Sequence, residues 1–321
     1  MSDRQALNAT FFAFRKREKS GVLLQAALGF VILAIVLIAA FIGAVYGVTG
    51  GAAFSQAAMA GQTDPDVIAQ MMSPAALGGV MLIYLVFLFA FFVLTAAFEA
   101  ACLRWLIRGE SGGGFLGLQL GADTWRVYGV YWVWLIAFVI GTIVFALLLA
   151  LLTGALGAAL GADSPFMLIP LLIAFIVPIY ISVRLAPAAA TSVAERKFAF
   201  FDAWKVSRER FWALFGAFLL LWLIYTVAVS IVIGMWMGAT MVNVMTDAMN
   251  RGAGDPAQAA EAINAAVLNA ISTPTGLISY VVMQIASMAL AVTFYIAMYG
   301  VNARAAAVAL EEAKIEQQPA S

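Results

Sequence analysis

The chain has 321 residues, of which 64% are hydrophobic and 11% charged, whereas soluble domains are about half apolar and about a quarter charged. A single hydrophobic core stops growing at about 250–300 residues, so this excess of apolar surface has to face something other than water. The composition excludes a soluble enzyme, a nucleic-acid-binding protein and a disordered protein. It predicts a polytopic membrane protein.

The residue inventory also removes most catalytic and cofactor chemistry. The sequence contains no histidine and one cysteine, Cys102. Serine–histidine triads, histidine-based zinc sites and histidine-ligated haem are therefore excluded, and a single thiol cannot form an internal disulfide. No aspartate lies inside an apolar run, and no phosphate-binding loop motif is present. We expect no enzyme activity, no metal and no cofactor.

Six apolar runs are long enough to cross a bilayer, which requires about 20 residues. In lipid every backbone amide needs an internal partner, so each run has to form a helix. We predict an all-α membrane protein with a single integral membrane domain over 1–321, of which 306–321 is a polar cytoplasmic tail. The predicted spans, numbered one to six, are 21–48, 77–105, 127–153, 166–194, 212–238 and 276–301.

Basic residues are distributed unequally between the two sides of these spans. The side with the N-terminus, the linkers after spans two and four, and the C-terminus has 16 of the 17 basic and 11 of the 17 acidic residues when Glu99, Arg104 and Arg184, near the adjoining span ends, are counted with it. The opposite loops contain one basic residue, Arg251, and 6 acidic residues, so a net charge of zero divides into +5 and −5. Because basic loops stay in the cytoplasm, we predict a multi-pass membrane protein with both termini cytoplasmic.

Each pair of spans is preceded by a segment that mixes aromatic and charged residues, at 7–19, 115–126 and 198–212. This mixture is typical of interfacial helices, whose rings lie at the headgroup boundary while the bases face anionic lipid. A short basic linker that only sets topology is the alternative. We therefore predict three pseudo-repeated hairpins, each preceded by an interfacial amphipathic segment. The residues predicted to contact lipid are Phe11, Phe14, Arg15, Arg17, Trp125, Arg126, Phe201, Trp204, Lys205 and Arg208.

The outer ends of the hairpins show two further patterns. The odd-numbered spans end in glycines, which would allow close helix packing: Gly43, Gly47, Gly154, Gly157, Gly161, Gly234 and Gly238. The outer loops 49–76 and 239–275 are predicted to contain short helices. Aspartate before or near proline, at Asp64, Asp163 and Asp255, predicts helix starts with aspartate as the N-cap.

Four ionisable residues lie near the cytoplasmic ends of the even-numbered spans: Glu99, Arg104, Arg184 and Arg304. Such residues are expensive in a membrane and are usually paired, so we predict that Glu99 pairs with Arg184 or Arg304. The four residues are candidates for a polar gate or a lipid-headgroup site. The alternative is that the side chains simply extend to the interface. Pro178, inside span four, is predicted to kink its helix.

Residues 184–216 resemble the bacterial membrane-domain families named after the membrane segment of glycerophosphoryl diester phosphodiesterase. The likeness covers about 33 residues and the six-span layout, and the matching positions are Arg184, Pro187, Glu195, Ala203, Ser207, Phe211 and Trp212. It implies an integral inner-membrane protein connected with the envelope or its lipids. Proteins of that name also carry a barrel with catalytic histidines, and this sequence has no histidine, so phosphodiesterase activity is not expected.

These patterns favour a non-enzymatic inner-membrane protein that contacts or organises lipid, or that scaffolds envelope partners. The aromatic–basic segments and the scarcity of polar residues in the spans support this interpretation. The alternative is a transporter or channel for an apolar or lipid-like substrate, which Pro178 and the charged residues favour. Expected partners are membrane lipids and no nucleic acid, and the sequence leaves a protein partner or a homo-oligomer open.

Overall fold

A computed structural model describes residues 9–15, 21–48, 73–161, 164–250, 274–312 and 314–315. Over these residues the chain is helical, with one isolated β-bridge between Phe115 and Leu118. Six of the described helices are long and apolar enough to cross a membrane. This result confirms the prediction of an all-α protein with six membrane spans.

The nine α-helices of the described residues follow the order of the spans, with two short helices of other types between them. A π-helical turn, Arg104–Arg108, continues span two, and a 3-10 turn, Pro165–Met167, precedes span four. Spans one to three are α2, α3 and α4, span four comprises α5 and α6, and spans five and six are α8 and α9. The helices are α1 (Phe12–Arg15), α2 (Gly21–Val48), α3 (Pro74–Leu103), α4 (Ala122–Leu160), α5 (Leu168–Leu185), α6 (Ala188–Ala194), α7 (Ala203–Ser207), α8 (Phe211–Asn250) and α9 (Pro274–Glu311).

Several helices are longer than the predicted spans. α4, α8 and α9 have 39, 40 and 38 residues, about twice what a bilayer requires. Helices of this length have to tilt or project beyond the hydrocarbon. The first residues of the predicted outer loop 239–275 therefore continue α8 to Asn250. The predicted helix in loop 49–76 and the aspartates 64, 163 and 255 lie outside the described residues.

Serine residues cap two of the outer helix starts. The Ala76 amide donates to Ser73 Oγ at 3.2 Å, and the Phe166 amide donates to Ser164 Oγ at 3.4 Å. In each case a proline follows the serine, at a position where its missing N–H costs nothing. Ser164, the residue after the predicted Asp163, is thus the N-cap of the 3-10 turn that precedes α5.

The chain divides into two compact units. A four-span unit comprises 14–211 and 302–321, and a two-span unit comprises 1–13 and 212–301. In the four-span unit, α2 packs on α3 and α3 packs on α4. Stacked rings support the first contact, because the Phe30 and Phe98 centroids lie 4.7 Å apart.

Burial in the four-span unit is concentrated where spans two and four end. All residues from 96 to 106 are buried, as are all residues from 187 to 195. Many of these residues are alanines, whose small side chains let helix backbones approach closely. By contrast, the most apolar 18-residue windows of spans two and three contain no buried residue. Such exposed apolar surface is suited to lipid rather than to water.

The two-span unit is a hairpin of α8 and the part of α9 up to Val301. The rings of Tyr225 and Phe294 stack with centroids 4.6 Å apart. At the other end of α9, a Cβ added to Gly300 would lie 2.9 Å from the Cβ of Ala13. Ala13 therefore packs directly on the backbone of α9 at this glycine.

The predicted packing role of the outer glycines is wrong for the positions where the described residues allow a test. A Cβ added to Gly43, Gly47, Gly154, Gly161, Gly234 or Gly238 would meet no described atom within 4 Å. Close approach occurs at other glycines. A Cβ on Gly29 would lie 2.9 Å from Leu116 Cβ, and one on Gly79 would lie 2.7 Å from Val48 Cγ1.

Two alanine substitutions in α2 are expected to act in opposite directions. Gly29→Ala should lower the free energy of unfolding by about 1–3 kcal/mol, because it forces a methyl group into packed side chains. Gly43→Ala should be neutral or raise it by up to about 1 kcal/mol, because alanine favours the helix and meets open space. Thermal unfolding of the two purified variants in the same detergent measures the difference, and equal shifts would contradict the assigned packing.

Candidate functional site

The polar residues of the four-span unit gather where spans two and four leave their apolar runs. Span two ends in the π-helical turn, whose C-cap is Gly109 in the left-handed conformation with a φ of +73°. Span four is interrupted at Ala186–Pro187 and resumes as α6. The helix continues through Pro178, where the kink stays a prediction, and the interruption lies farther along the chain.

Arg108 joins these two ends to the start of α4. Its Nη1 donates to the Val193 carbonyl oxygen of α6 at 2.8 Å. Its Nη2 forms an ion pair with Asp123 in the first turn of α4, and its Nε forms another with Glu110 at 2.9 Å. All three nitrogens of this buried guanidinium thus have an acceptor, which is the condition for burying a charge at tolerable cost.

The ion pairs continue on both sides of Arg108. Asp123 also pairs with Arg126 at 2.6 Å, and Glu110 also pairs with Arg196 at 2.8 Å. Asp123 lies at the N-terminal end of α4, where the helix dipole favours a negative charge. The five residues Arg126, Asp123, Arg108, Glu110 and Arg196 form a continuous network, which we call the ion-pair chain.

A glycine loop, residues 109–117, covers Arg104 beside this network. A Cβ added to Gly112 would lie 2.7 Å from Arg104 Nη2 and 2.6 Å from the Gly117 carbonyl oxygen. Gly114, Leu116 and Gly117 all have positive φ, a conformation that costs least at glycine. The residue sequence of the loop therefore allows its backbone to lie directly on the guanidinium.

Arg104 itself is 5% exposed, and its Nε and Nη2 are buried without a hydrogen-bond acceptor. Its near charged neighbours are Asp123, Arg108 and Glu110. Two of them, Asp123 and Arg108, pair with each other. Arg104 is therefore a buried charge adjacent to the ion-pair chain, and no described carboxylate pairs with it.

The predicted partner of Glu99 is wrong. The buried Glu99 carboxylate accepts a hydrogen bond from the Tyr131 hydroxyl of α4, and no described arginine lies within ion-pair distance of it. Arg304 lies near Glu311, at 3.7 Å. Arg184 has aromatic neighbours instead of a carboxylate. The physical reason is helix register, since Tyr131 lies opposite Glu99 across the α3–α4 contact.

Arg184 lies among three rings at the junction of spans four and five. Its Cζ is 5.1 Å from the ring centroid of Tyr180, 5.5 Å from that of Trp204 and 5.6 Å from that of Phe211. Its Nη2 donates to the Tyr180 hydroxyl at 3.1 Å, and its carbonyl oxygen accepts from Ser207 Oγ at 2.9 Å. Cation–π contacts of this kind stabilise a desolvated guanidinium. Glu99, Arg104 and Arg184 thus have different neighbours in the described structure: the Tyr131 hydroxyl, the glycine loop and three aromatic rings.

The predicted lipid-contacting residues differ in exposure. Phe201 is 76% exposed, and Trp204 and Arg208 are also exposed. The Lys205 side chain is 69% exposed and pairs with Asp202 at 2.6 Å. Phe11, Phe14 and Trp125 are about half exposed, whereas Arg126 belongs to the ion-pair chain. Arg17 and the side chain of Arg15 lie outside the described residues.

The three predicted amphipathic segments also differ in conformation. The described part of the first contains the four-residue α1, and the third contains the five-residue α7. In the second, 115–126, the chain turns through the Phe115–Leu118 bridge and becomes helical at Ala122. The interfacial role of the segments and the threefold repeat stay predictions.

A second ionic cluster, which sequence inspection did not identify, joins the end of α9 to the chain before α8. Arg210 pairs with Glu312, and Lys314 pairs with Glu209 at 2.7 Å and with Glu312 at 3.1 Å. We call these four residues the C-terminal tether. Hydrogen bonds from Lys314 to Glu209 and from Arg210 to Glu312 lower the pKa of both carboxyls from 4.5. The bond to Glu209 raises the pKa of Lys314 from 10.5.

No group of three or more cysteine, aspartate or glutamate side chains among the described residues is placed to hold a metal ion. Comparison with protein-family models, with curated proteins and with solved structures finds no match to the chain. The resemblance of residues 184–216 to a membrane-domain family therefore stays a prediction.

Removal of the Tyr131 hydroxyl is expected to destabilise the α3–α4 contact. Tyr131→Phe takes a hydrogen bond from the buried Glu99 carboxylate, which costs about 1–3 kcal/mol of unfolding free energy. Tyr84→Phe, at an exposed tyrosine of α3, is the control and should be neutral. In Tyr131→Phe/Glu99→Met the loss should be partly recovered, because neither polar partner remains. Thermal unfolding of these four proteins tests this, and a double variant that is less stable than Tyr131→Phe would contradict it.

The C-terminal tether is expected to stabilise the fold only within a pH range that the shifted pKa values of its residues determine. Lowered carboxyl pKa values mean that the tether stabilises the fold above about pH 4.5 and loses this effect as pH falls further. The raised Lys314 pKa means that its contribution is complete below about pH 10.5 and is lost at higher pH. The melting temperature of wild type should exceed that of Lys314→Gln only within this pH range, and a pH-independent difference would contradict the assignment.

Proposed function

We propose that this integral membrane protein is a non-enzymatic component of the bacterial inner membrane that contacts and organises anionic lipid. Six apolar helices support its place in a membrane. The segment between spans four and five, residues 198–208, is proposed as the principal lipid contact. We call it the elbow.

The observation that carries the proposal is the exposure of Phe201 beside exposed bases. Phe200 is buried, yet the adjacent Phe201 ring is 76% exposed, and Lys205 and Arg208 are exposed nearby in the chain. A large ring next to cationic side chains is poorly suited to either a core or bulk water. It is well suited to the headgroup boundary, where the ring meets acyl chains and the bases meet anionic lipid.

The elbow is also held in place by the fold, which supports a recognition role. The Ser207 hydroxyl donates to the Arg184 carbonyl oxygen, and the Trp204 ring meets the Tyr180 ring edge-on at 6.0 Å between centroids. These contacts fix α7 against the end of α5. A fixed surface loses less conformational entropy on binding than a loose loop.

The orientation and the absence of catalysis belong to the same proposal. Basic residues are concentrated in the loops on the side of the elbow, which favours a cytoplasmic location for that side and for both termini. The absence of histidine from the sequence supports a non-enzymatic role. The exposed apolar surface of the spans and the basic residues at their ends both favour lipid as the partner.

Two double variants of the elbow test the proposal. Phe201→Ser/Lys205→Gln removes the ring and the charge, whereas Phe201→Trp/Lys205→Arg preserves both. A base near an anionic surface contributes about 1 kcal/mol, so the first variant should retain phosphatidylglycerol at least about fivefold more weakly. Native mass spectrometry of the protein released from mixed phosphatidylglycerol and phosphatidylcholine nanodiscs measures retention. Equal retention by the two variants would contradict the role of the elbow.

The transporter alternative has one specific observation in its favour. Both span two and span four are irregular, at the π-helical turn and at Ala186–Pro187, and Arg108 links them through the Val193 carbonyl. Interrupted helices are a feature of transporters. Movement of labelled lipid between leaflets of vesicles that contain the protein, absent from protein-free vesicles, would favour this alternative over organisation of lipid alone.

A further inference from the structure

We propose that Arg104 and the glycine loop that covers it form a binding site for a phosphate group. The phosphate belongs either to a lipid headgroup or to free inorganic phosphate. In its lipid form the inference rests on the proposed function, since it assigns a specific headgroup site to a protein that contacts lipid. The site is separate from the elbow and involves different residues.

The first argument is the set of unpartnered nitrogens on Arg104. Its Nε and Nη2 are both buried and have no acceptor. These two nitrogens lie on the same edge of a guanidinium and present two parallel N–H groups. That edge matches two oxygens of a phosphate or carboxylate in a bidentate arrangement. Burial without an acceptor is costly for a charged donor, and an oxyanion on this edge would supply both acceptors.

The second argument is the charge balance around Arg104. The ion-pair chain contains three guanidiniums and two carboxylates, Asp123 and Glu110. Together with Arg104 the cluster contains four positive and two negative charges. Asp123 and Glu110 both form ion pairs with arginines of the ion-pair chain, so their negative charges neutralise those arginines first. The remaining positive charge favours an anion at Arg104 although Asp123 and Glu110 oppose it.

The third argument is that the glycine loop over Arg104 is thin and rich in glycine. Gly112 lies on Nη2, while its neighbours Ser111 and Gly113 are exposed. A single layer of backbone therefore separates the guanidinium edge from the outside. Glycine at 109, 112, 113, 114 and 117 gives this layer the conformational freedom to move aside. The Gly113 amide donates to Gln119 Oε1 at 3.3 Å, a long bond that offers little resistance to opening.

The location of the site suits a headgroup. Arg104 follows the last residue of α3 directly, at the end of the apolar run of span two. This is the depth at which lipid phosphates lie when the apolar run fills the hydrocarbon. A lipid headgroup and inorganic phosphate both present a phosphate oxyanion to Arg104, and the experiment below distinguishes these two sources.

The experiment uses the full chain in detergent and in nanodiscs, with hydrogen exchange of residues 109–117 as the readout. Three probes are compared: inorganic phosphate, phosphatidylglycerol nanodiscs and phosphatidylcholine nanodiscs. Wild type should show altered exchange of the loop with at least one probe. An effect of inorganic phosphate assigns the site to free phosphate, whereas an effect confined to nanodiscs assigns it to a headgroup. No change with any probe would overturn the inference, and this measurement needs no variant.

Variants locate the effect on the guanidinium edge and on the loop. Arg104→Lys keeps the charge but removes the bidentate edge, and should weaken binding at least about tenfold. Gly112→Ala drives a methyl group onto Nη2 and the Gly117 carbonyl and should displace the loop. Gly113→Ala is the matched control, because its Cβ meets nothing within 4 Å. Binding by Arg104→Lys equal to that of wild type would overturn the inference.

The same measurements separate this inference from the proposed function. If the elbow variant Phe201→Ser/Lys205→Gln loses phosphatidylglycerol and Arg104→Lys retains it, the headgroup site is refuted and the lipid function stands. If neither variant loses lipid, the role of the elbow and the headgroup form of the site are both refuted, and the free-phosphate form is decided by the inorganic phosphate probe. If Arg104→Lys alone loses it, the site is supported and the role of the elbow is refuted.

Discussion

The buried guanidinium of Arg108 is the interaction on which the polar end of the four-span unit depends. It connects the end of span two, the start of α4 and α6 through Glu110, Asp123 and the Val193 carbonyl. In an apolar chain with few charges, each buried charge has to find acceptors from other elements. Arg108 meets this requirement with all three of its nitrogens, and in doing so it fixes where three segments meet.

The π-helical turn makes this arrangement possible. It inserts a wider turn between α3 and Gly109, which changes the direction in which Arg104 and Arg108 leave the helix. Arg108 then lies within reach of both Asp123 and Val193, while Arg104 lies beneath the glycine loop. π-helical turns are rare in proteins, and those that do occur often lie at functional sites. The same irregularity thus produces one fully paired arginine and one arginine without an acceptor.

The spans could be predicted from the sequence, because apolar length is a local property that a bilayer requires directly. α2 begins and ends at the predicted residues, 21 and 48. The partner of Glu99 could not be predicted, because helix register decides whether a carboxylate meets Tyr131 or an arginine. The glycines show the same limit. Gly29 and Gly43 are both glycines within the apolar run of α2, so the sequence does not distinguish them. Leu116 lies opposite Gly29 alone, and this contact gives Gly29 its packing role. The sequence of the Gly112–Gly114 run does not indicate its role, which depends on the guanidinium that lies against Gly112.

Arg104 and Arg184 show why burial alone does not identify a binding residue. Both are buried and both have two nitrogens without an acceptor. Three rings face the Arg184 guanidinium and one tyrosine hydroxyl accepts from it, so much of its desolvation is compensated within the fold. Moreover, its unpartnered atoms, Nε and Nη1, do not lie on one edge and cannot grip two oxygens together. Arg104 has its two free donors on a common edge, and the backbone over it is glycine. Of the two arginines, Arg184 is thus suited to hold the elbow in place and Arg104 to receive an oxyanion.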